Sequence, residues 1–303
     1  MPNLYDAAIV GGGPAGLSAA IWLGRFLHSV VLIDSGDPRN WEARGVHGYL
    51  GLPDVPPKEL RGSGRDEARR FGAELVDGCV KSAVRLGDEH FRLVLEDDRV
   101  FESRRLLLAF GIRDKWPDVP GLDRCYGETV HHCPDCDGYE ARNCKTVVIA
   151  SGRSAAGMAF ALTTWTSDLV ICTNGEPANI NASLLAKLDQ LNVPVLVDKI
   201  TRMGSREGQV RQLELAGGKA LDCERIFFAL GQYPADDLGV QLGCKRDDQD
   251  MIEVNRSQET TITNVYAAGD LVPGPHLAIS AAAEGAIAAA AIHRSLLPEV
   301  CRL

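Results

Sequence analysis

The sequence predicts an α/β protein of two three-layer domains, the second inserted in the first. Its 303 residues exceed what one compact core usually holds. A strand, glycine turn, helix and strand follow each other over residues 7–34, and a similar order recurs over residues 146–173. Near the end of the chain, an apolar strand followed by an Ala-rich helix indicates that the chain returns to the first domain. We therefore expect residues 1–115 and 245–303 to form one domain and residues 116–244 the other.

Charge and hydropathy narrow the range of partners. The formal net charge is −9, from 41 acidic and 32 basic residues, and no basic run could follow a phosphate backbone, so we expect no nucleic acid partner. The apolar stretch Ala278 to Ile292 is interrupted by Glu284 and is shorter than the roughly 20 residues that span a bilayer. It predicts a buried helix and no membrane association. The short polar start, Met1 to Ala8, lacks a signal-peptide pattern, which predicts a cytoplasmic protein.

The first motif is a glycine turn between a strand and a helix. The strand Ala7 to Val10 leads into Gly11, Gly13 and Gly16, and helical apolar spacing follows from Leu17 to Leu27. In this pattern the first glycine permits a tight turn, the second lets the backbone approach a pyrophosphate, and the third lets helix and strand pack closely. The phosphates then lie at the helix N-terminus.

The next strand, Ser29 to Ile33, ends at Asp34. A carboxylate at this position accepts hydrogen bonds from a ribose 2′-hydroxyl and repels a 2′-phosphate. The complete unit therefore predicts a Rossmann-like nucleotide-binding domain that takes the ADP half of FAD or NAD in preference to NADP.

Further strands are predicted in both domains. In the first domain, Phe91 to Leu95 and Val100 to Phe101 flank an acidic turn as a hairpin, and a buried strand runs from Leu106 to Ala109 and ends at Gly111. The second Rossmann-like start comprises Val147 to Ala150 and Leu169 to Thr173 with a helix between them. The remaining predicted strands are Val195–Ile200, Val210–Leu215, Ile226–Leu230 and Val265–Ala268.

A Cys-x-x-Cys motif, Cys133 to Cys136, lies between the two nucleotide-binding patterns. Such a pair is either half of a zinc site or a redox dithiol. A redox pair is favoured, because no second pair completes a tetrahedral site and the adjacent His131 and His132 cannot easily both face one metal ion with Cys133. Asp137 follows the pair directly and could carry the proton that dithiol exchange needs. We expect the seven remaining cysteines to be small buried side chains or incidental surface thiols, at Cys79, Cys125, Cys144, Cys172, Cys223, Cys244 and Cys301.

The order of these motifs resembles the low-molecular-weight thioredoxin reductases over nearly the whole chain. The glycine turn is followed by Cys-x-x-Cys-Asp-Gly (133–138), a second nucleotide fold, Gly-x-x-Pro (231–234) and Ala-Ala-Gly-Asp (267–270) before an Ala-rich helix. The resemblance implies an FAD-dependent disulfide oxidoreductase. It also implies a homodimer in which the two domains rotate, and either a thioredoxin-like protein or a small dithiol as substrate.

The resemblance implies a role for each site residue. Cys136 would exchange electrons with the flavin at its C4a position, Cys133 would attack the substrate disulfide, and Asp137 would be the acid/base. His276 lies where the family has Arg-Gln-Ala near the flavin, which makes it a further catalytic candidate. Asp270 would bind the ribityl or phosphate region. The cofactor-binding positions are Gly11, Gly13, Pro14, Ala15, Gly16, Asp34, Gly111, Gly269 and Asp270.

The second domain departs from the family pattern. Its glycine turn begins with Ala150 instead of glycine, and the arginines that clamp the 2′-phosphate of NADPH are replaced by Cys172 to Glu176. No Lys or Arg occurs from Ser154 to Ala186. A 2′-phosphate clamp normally uses arginine, so its absence argues against NADP(H). In these features the chain is similar to the branches that do not use pyridine nucleotides, the deeply rooted thioredoxin reductases and the dithiol oxidases.

Two functional alternatives remain open. The same half-reaction runs as a reductase or as an oxidase, and the reduction potentials of the couples decide its direction. One alternative is therefore a dithiol oxidase that uses oxygen. Another is a non-catalytic flavin redox sensor. A flavoenzyme without dithiol chemistry is disfavoured by the intact pair Cys133 and Cys136.

Overall fold

The computed structural model describes residues 3–301, which divide into two compact units. The first contains the chain up to Trp41, Gly48–Arg113, and the chain from Tyr233 onward, while the second contains Glu42–His47 and Asp114–Gln232. Residues 233–244, which the sequence prediction places in the second domain, group with the first unit. Both units combine helices with parallel strands, so the predicted α/β class is confirmed.

The elements of residues 3–301 are numbered in chain order. The strands are β1 (Leu4–Val10), β2 (Val30–Asp34), β3 (Glu74–Asp77), β4 (Val80–Gly87), β5 (His90–Leu95), β6 (Val100–Leu108), β7 (Ile112–Asp114), β8 (Val130–His131), β9 (Thr146–Ala150), β10 (Leu169–Cys172), β11 (Val195–Leu196), β12 (Ile200–Arg206), β13 (Gln209–Leu215), β14 (Ala220–Asp222), β15 (Arg225–Ala229), β16 (Gln232–Pro234) and β17 (Val265–Ala267). The helices are α1 (Pro14–Arg25), α2 (Pro57–Arg70), α3 (Pro134–Asp137), α4 (Gly152–Leu162), α5 (Ala182–Gln190), α6 (Leu238–Gln241) and α7 (Ala278–Leu296).

The first unit is built on one seven-stranded mixed sheet. Strands β3, β2, β1 and β6 are parallel neighbours, β17 pairs parallel to β6, and β5 and β4 extend the sheet antiparallel. Every residue of β2 is buried, as expected for a parallel strand covered on both faces. Because β1, β6 and β17 are parallel, their carboxyl ends meet at one edge, where the glycine turn after Val10 begins.

Helix α7 packs closely on α1 on one face of this sheet. The Ala-rich sequence makes this possible, because small side chains let two helix backbones approach each other. Ala15 of α1 and Ala281, Ala288 and Ala289 of α7 all lie in the same buried core. The approach is closest at Gly285, where a Cβ atom would lie 2.0 Å from the backbone oxygen of Ala15.

The second unit contains two sheets. The first is parallel, with the order β11-β10-β9-β15-β8, and α4 joins β9 to β10 as in a Rossmann-like unit. The second is an antiparallel sheet of β12, β13 and β14. Buried apolar residues lie on both faces of the parallel sheet, as the alternation along β9 shows: Val147 and Ile149 belong to one core and Val148 and Ala150 to the other.

Two strand predictions need correction. The hairpin arm beginning at Val100 and the strand ending near Ala109 are one strand, β6. It pairs with β1 over Glu102–Leu108, and its other edge pairs first with β5 and then with β17. The predicted strand Val195–Ile200 is instead split between β11 and β12. The chain leaves the parallel sheet after Leu196, and the N–H of Ile200 donates to the side-chain oxygen of Asn174 (2.8 Å) as the antiparallel sheet begins. Within residues 3–301, no helix is long and apolar enough to cross a membrane.

We expect Gly285→Ala to destabilise the protein by about 1–3 kcal/mol, because the new methyl group would overlap the backbone of α1. Urea unfolding measures the effect. The control is Gly157→Ala in α4, where a Cβ atom meets nothing within 4 Å. This control should leave stability unchanged or raise it by up to about 1 kcal/mol. Equal unfolding midpoints for Gly285→Ala and the wild type would contradict the close packing of α1 on α7.

Candidate functional site

The glycine turn after β1 has the backbone geometry that its motif predicts. Gly11 has φ +113°, and a Cβ atom there would lie 2.2 Å from the backbone oxygen of Ala109. A Cβ atom at Gly16 would lie 1.9 Å from the backbone oxygen of Gly11. At Gly13, which caps α1, nothing lies within 4 Å of the Cβ position. The turn therefore packs tightly on its protein side and is open at the N-terminus of α1, where a pyrophosphate can bind.

A cavity of about 810 Å³ adjoins this open side of the turn. Gly13 and Pro14 line it together with residues of α1, α2 and the segment after β2, including Ile21, Asn40 and Leu60. Its size is in the range of small-molecule and cofactor sites. The first unit thus offers both open backbone amides and space for a dinucleotide.

Asp34, at the end of β2, lies over the turn but is not a free carboxylate. It is 5% exposed, and a Cβ atom at Gly12 would lie 2.1 Å from its Oδ2. The N–H of Gly36 donates to its Oδ1 (3.1 Å), Arg65 donates to its Oδ2 (2.9 Å), and Arg61 pairs with the same oxygen. Both oxygens of this carboxylate therefore already accept hydrogen bonds from the first unit, and two of the three donors are arginines.

Arg61 and Arg65 were not predicted from the sequence. They lie four residues apart on α2, so they share one face of this helix. The helix was missed because its sequence is largely charged and buries only Ala68. The sequence signal that could have indicated them is the spacing of four residues between two arginines in the segment that follows Asp34.

Gly269 and Asp270 follow β17 beside the N-terminal part of α1. Gly269 has φ +81°, its Cβ position is 3.1 Å from the Cβ of Ala15, and its N–H donates to Glu284 of α7 (2.8 Å). Burial raises the pKa of Glu284, although the Gly269 amide opposes this shift. Asp270 accepts a hydrogen bond from Arg39 (3.0 Å), a second partner that the sequence did not indicate.

Two other predicted positions lie on loops of the first unit. Gly111 has φ +74° directly before β7, a conformation that favours glycine. His276 is half-buried and lies two residues before α7 begins. No hydrogen bond or ion pair of His276 is seen within the described part of the chain, so its candidate role stays a prediction.

The second unit carries the Cys-x-x-Cys motif at the start of a short helix. Cys133 and Cys136 form a disulfide with a Cα–Cα distance of 5.3 Å. Cys133 caps α3, and its Sγ accepts a hydrogen bond from the N–H of Cys136 (3.1 Å). A helix N-terminus stabilises a thiolate. Gly138 is required next, because a Cβ atom there would lie 2.5 Å from the ring of Trp165.

Two histidines precede the pair, and they face different partners. The Nδ1 of His131 lies 3.4 Å from Oδ1 of Asp137, and His131 is 4% exposed. The Nδ1 of His132 lies 2.9 Å from the hydroxyl of Tyr126 and 3.9 Å from Asp114. The two rings therefore cannot be ligands of one metal ion beside Cys133. Among residues 3–301, no group of three or more His, Cys, Asp or Glu side chains could hold a metal ion.

The other cysteines differ from this pair. Four of them, Cys125, Cys172, Cys223 and Cys244, are buried thiols. Burial raises the pKa of each, to about 12 for Cys223. A raised thiol pKa suppresses the thiolate, which is the reactive form. These side chains are therefore suited to packing and not to exchange.

The glycine turn of the second unit is closed, unlike that of the first. Gly152 occupies the position of Gly13 in the repeated pattern, but it has φ +61° and its N–H donates to the backbone oxygen of Ala178 (2.7 Å). The backbone oxygen of Asn179 lies 3.6 Å from its Cβ position. The segment after β10 thus uses a backbone donor that would otherwise face a pyrophosphate.

The positions of the missing arginine clamp are also used internally. Asn174 accepts a hydrogen bond from the N–H of Ile200, and its side-chain amide donates to the backbone oxygen of Asp118 (3.4 Å). Of the three arginines that could have replaced the clamp, Arg153 is exposed on the first turn of α4, and the other two lie on the antiparallel sheet and have acidic partners. They are Arg202, which pairs with Glu214, and Arg206, 3.7 Å from Glu207.

Comparison with known proteins relates this arrangement to one family. The family model of pyridine nucleotide-disulphide oxidoreductases matches residues 5–285. A thioredoxin reductase of Bacillus subtilis is 27% identical over 300 residues, covering 96% of this chain and 94% of the relative. The crystal structure of a putative thioredoxin reductase, TrxB, from Bacillus anthracis superposes with a TM-score of 0.89 at 27% identity, over 96% of this chain and 98% of its own. The crystal structure of HlmI gives a TM-score of 0.92 at 31% identity, over 98% of this chain and 94% of its own.

We expect Gly13→Ala to weaken FAD binding at least about tenfold, which corresponds to about 1.4 kcal/mol, without loss of stability. The methyl group meets no protein atom, but it projects into the space where the pyrophosphate approaches the backbone. Fluorescence titration of the apoprotein with FAD measures the affinity. Gly157→Ala, which also adds a methyl group in open space, should bind FAD like the wild type. An unchanged affinity of Gly13→Ala would place the cofactor elsewhere.

Proposed function

The chain belongs to the pyridine nucleotide-disulphide oxidoreductase family, and we propose that it exchanges electrons between FAD and a dithiol or disulfide substrate through Cys133 and Cys136 without depending on NADPH. The family assignment rests on the match over residues 5–285, and its thioredoxin reductases bind FAD. The observation that supports the independence from NADPH is the contrast between the two glycine turns. One is open at Gly13, and the other is closed by Ala178 at Gly152.

We assign the first unit to FAD and the second to the dithiol. When bound, FAD supplies the two-electron redox chemistry. The open turn at Gly13, the carboxylate of Asp34 with its two arginines, and Asp270 would hold it. The sequence predicts residues 1–115 and 245–303 for the FAD domain and residues 116–244 for the redox domain, and the compact units differ from these bounds by placing residues 42–47 and 114–115 with the second unit and residues 233–244 with the first.

We assign the exchange steps to three residues of the second unit. Cys133 forms the disulfide bond with the substrate sulfur, and Cys136 closes or opens the internal disulfide. Asp137, which directly follows the pair, accepts and returns the proton. A helix N-terminus at Cys133 supports this assignment, because it favours the thiolate that exchange requires.

The substrate is proposed to be a thioredoxin-like protein or a small dithiol. The relatives named thioredoxin reductase support the first, and the half-buried position of Cys133 and Cys136 is compatible with either. We also propose a homodimer. Large apolar side chains of the first unit that are exposed and do not line the cavity support it, such as Leu27 (92%) and Leu50 (87%), because exposed apolar surface is typical of interfaces.

NADPH should be a poor reductant of this protein. A charge-assisted hydrogen bond is worth about 1.5–3 kcal/mol, so the loss of two to the 2′-phosphate would weaken binding about 10²- to 10⁴-fold. Anaerobic mixing tests this by following the flavin absorbance. We expect rapid bleaching with dithiothreitol, and slow or no bleaching with NADPH or NADH. Rapid bleaching by micromolar NADPH would contradict the proposal that the second glycine turn is closed to nucleotides.

Cys133→Ser and Cys136→Ser should each abolish bleaching by dithiothreitol, because either change removes the internal disulfide. The flavin of both variants should still be reduced by dithionite, which needs no thiol. Cys144→Ser is the matched control. It removes a half-buried free thiol from the same unit and should react like the wild type. If both serine variants of the pair bleached at the wild-type rate, the pair would be structural.

A further inference from the structure

His131 is a buried histidine whose ring is fixed by the parallel sheet of the second unit. It lies in β8 and is 4% exposed. Its neighbour in register on β15 is Phe227, and the two ring centroids are 5.3 Å apart. Polar side chains buried in this way normally have hydrogen-bond partners. The position of His131 therefore needs an explanation beyond packing.

The two ring nitrogens of His131 have different surroundings. Nδ1 faces Asp137, 3.4 Å from Oδ1, whereas Nε2 is buried and has no hydrogen-bond partner within residues 3–301. A carboxylate attracts the imidazole proton to the nitrogen that faces it, which leaves Nε2 as a bare acceptor. A proton added to Nε2 would have no acceptor. His131 thus cannot pass a proton onward to solvent through Nε2.

We propose that His131 is a positioning residue for Asp137, whose carboxylate accepts a hydrogen bond from the Nδ1–H of His131 during thiol–disulfide exchange. This inference rests on the proposed function and adds His131 to the residues of the exchange site. The donor fixes the direction of the carboxylate, which must face the reacting thiol to accept its proton. The contact with Phe227 and the strand pairing hold the imidazole of His131 in the orientation that faces Asp137.

With a dithiol substrate, the thiol–disulfide exchange proceeds in two displacements that involve Cys133. The first substrate thiol gives its proton to Asp137, and the thiolate attacks the sulfur of Cys133. The Cys133–Cys136 bond breaks, Cys136 leaves as a thiolate, and a substrate–Cys133 disulfide forms. The second substrate thiol releases its proton to solvent and displaces Cys133, which takes the proton from Asp137. Two electrons have then moved from the substrate to the protein sulfurs, and His131 has kept its single proton throughout.

Three variants separate positioning from packing. His131→Leu fills a similar volume without a donor. His131→Asn places an amide N–H close to the position of Nδ1, so it can still donate to Asp137. Asp137→Asn removes the carboxylate on which His131 is proposed to act. If His131 acts through Asp137, His131→Leu should have no further effect in the Asp137→Asn protein, because the two changes remove the same step.

The experiment mixes each FAD-loaded variant anaerobically with dithiothreitol in a stopped-flow instrument and follows flavin bleaching at neutral pH. We expect His131→Leu to slow bleaching about ten- to a hundredfold, less than the roughly 10²- to 10⁴-fold contribution of an acid/base group itself, because Asp137 is retained. His131→Asn should restore the wild-type rate.

A wild-type rate in His131→Leu would overturn the inference, as would a further rate loss when His131→Leu is added to Asp137→Asn. Failure of the proposed function itself is seen separately, because the wild type would then not bleach with dithiothreitol at all. Thermal unfolding and the flavin spectrum check that each variant is folded. If His131→Leu does not fold, His131→Gln provides the same comparison, because its longer amide extends past the position of Nδ1.

Discussion

The first unit depends on backbone-to-backbone contacts at three glycines around α1. A Cβ atom at Gly11, Gly16 or Gly285 would lie 2.2, 1.9 or 2.0 Å from a backbone oxygen. No change of rotamer can relieve such an overlap, because both partners belong to the main chain. These contacts hold α1 against the sheet edge and against α7, and they leave open space only on the outer side of the turn, at Gly13. The site is thus a consequence of how closely the backbone elements pack.

The second unit has the same strand–turn–helix order without the close backbone contacts of the first glycine turn. Its turn begins with Ala150, its Gly152 adopts φ +61°, and the segment after β10 fills the space that is open in the first unit. Each local change is small and leaves the parallel sheet intact. Together they replace an outward-facing donor with an internal hydrogen bond. On the proposed function, a nucleotide would have to displace this bond before it could bind, and it would find no arginine clamp for a 2′-phosphate.

The sequence predicted what depends on near neighbours along the chain. The α/β class, the turn at Gly11–Gly16 and the redox pair Cys133 and Cys136 all follow from short motifs with fixed spacing. Contacts between distant segments could not be predicted in this way. Arg61 and Arg65 reach Asp34 from a charged helix without an apolar pattern, and Ala178 reaches Gly152 through a backbone oxygen that no residue type indicates. The sequence therefore showed which functional groups are present, and the fold shows which of them already form hydrogen bonds or ion pairs within the protein.

On the proposed function, the dithiol and the second glycine turn rest on partly different contacts, so that one can change while the other is kept. The dithiol lies after β8, whose frame is the pairing of β8 with β15 and of β15 with β9. The closed turn involves the end of β9, the first residue of α4 and the segment after β10. Apolar residues of the two cores, such as Val130 and Phe227, support the dithiol frame whether or not the turn is open. On the proposed function, the segment after β10 determines the electron donor, while the sheet beneath the dithiol preserves thiol–disulfide exchange.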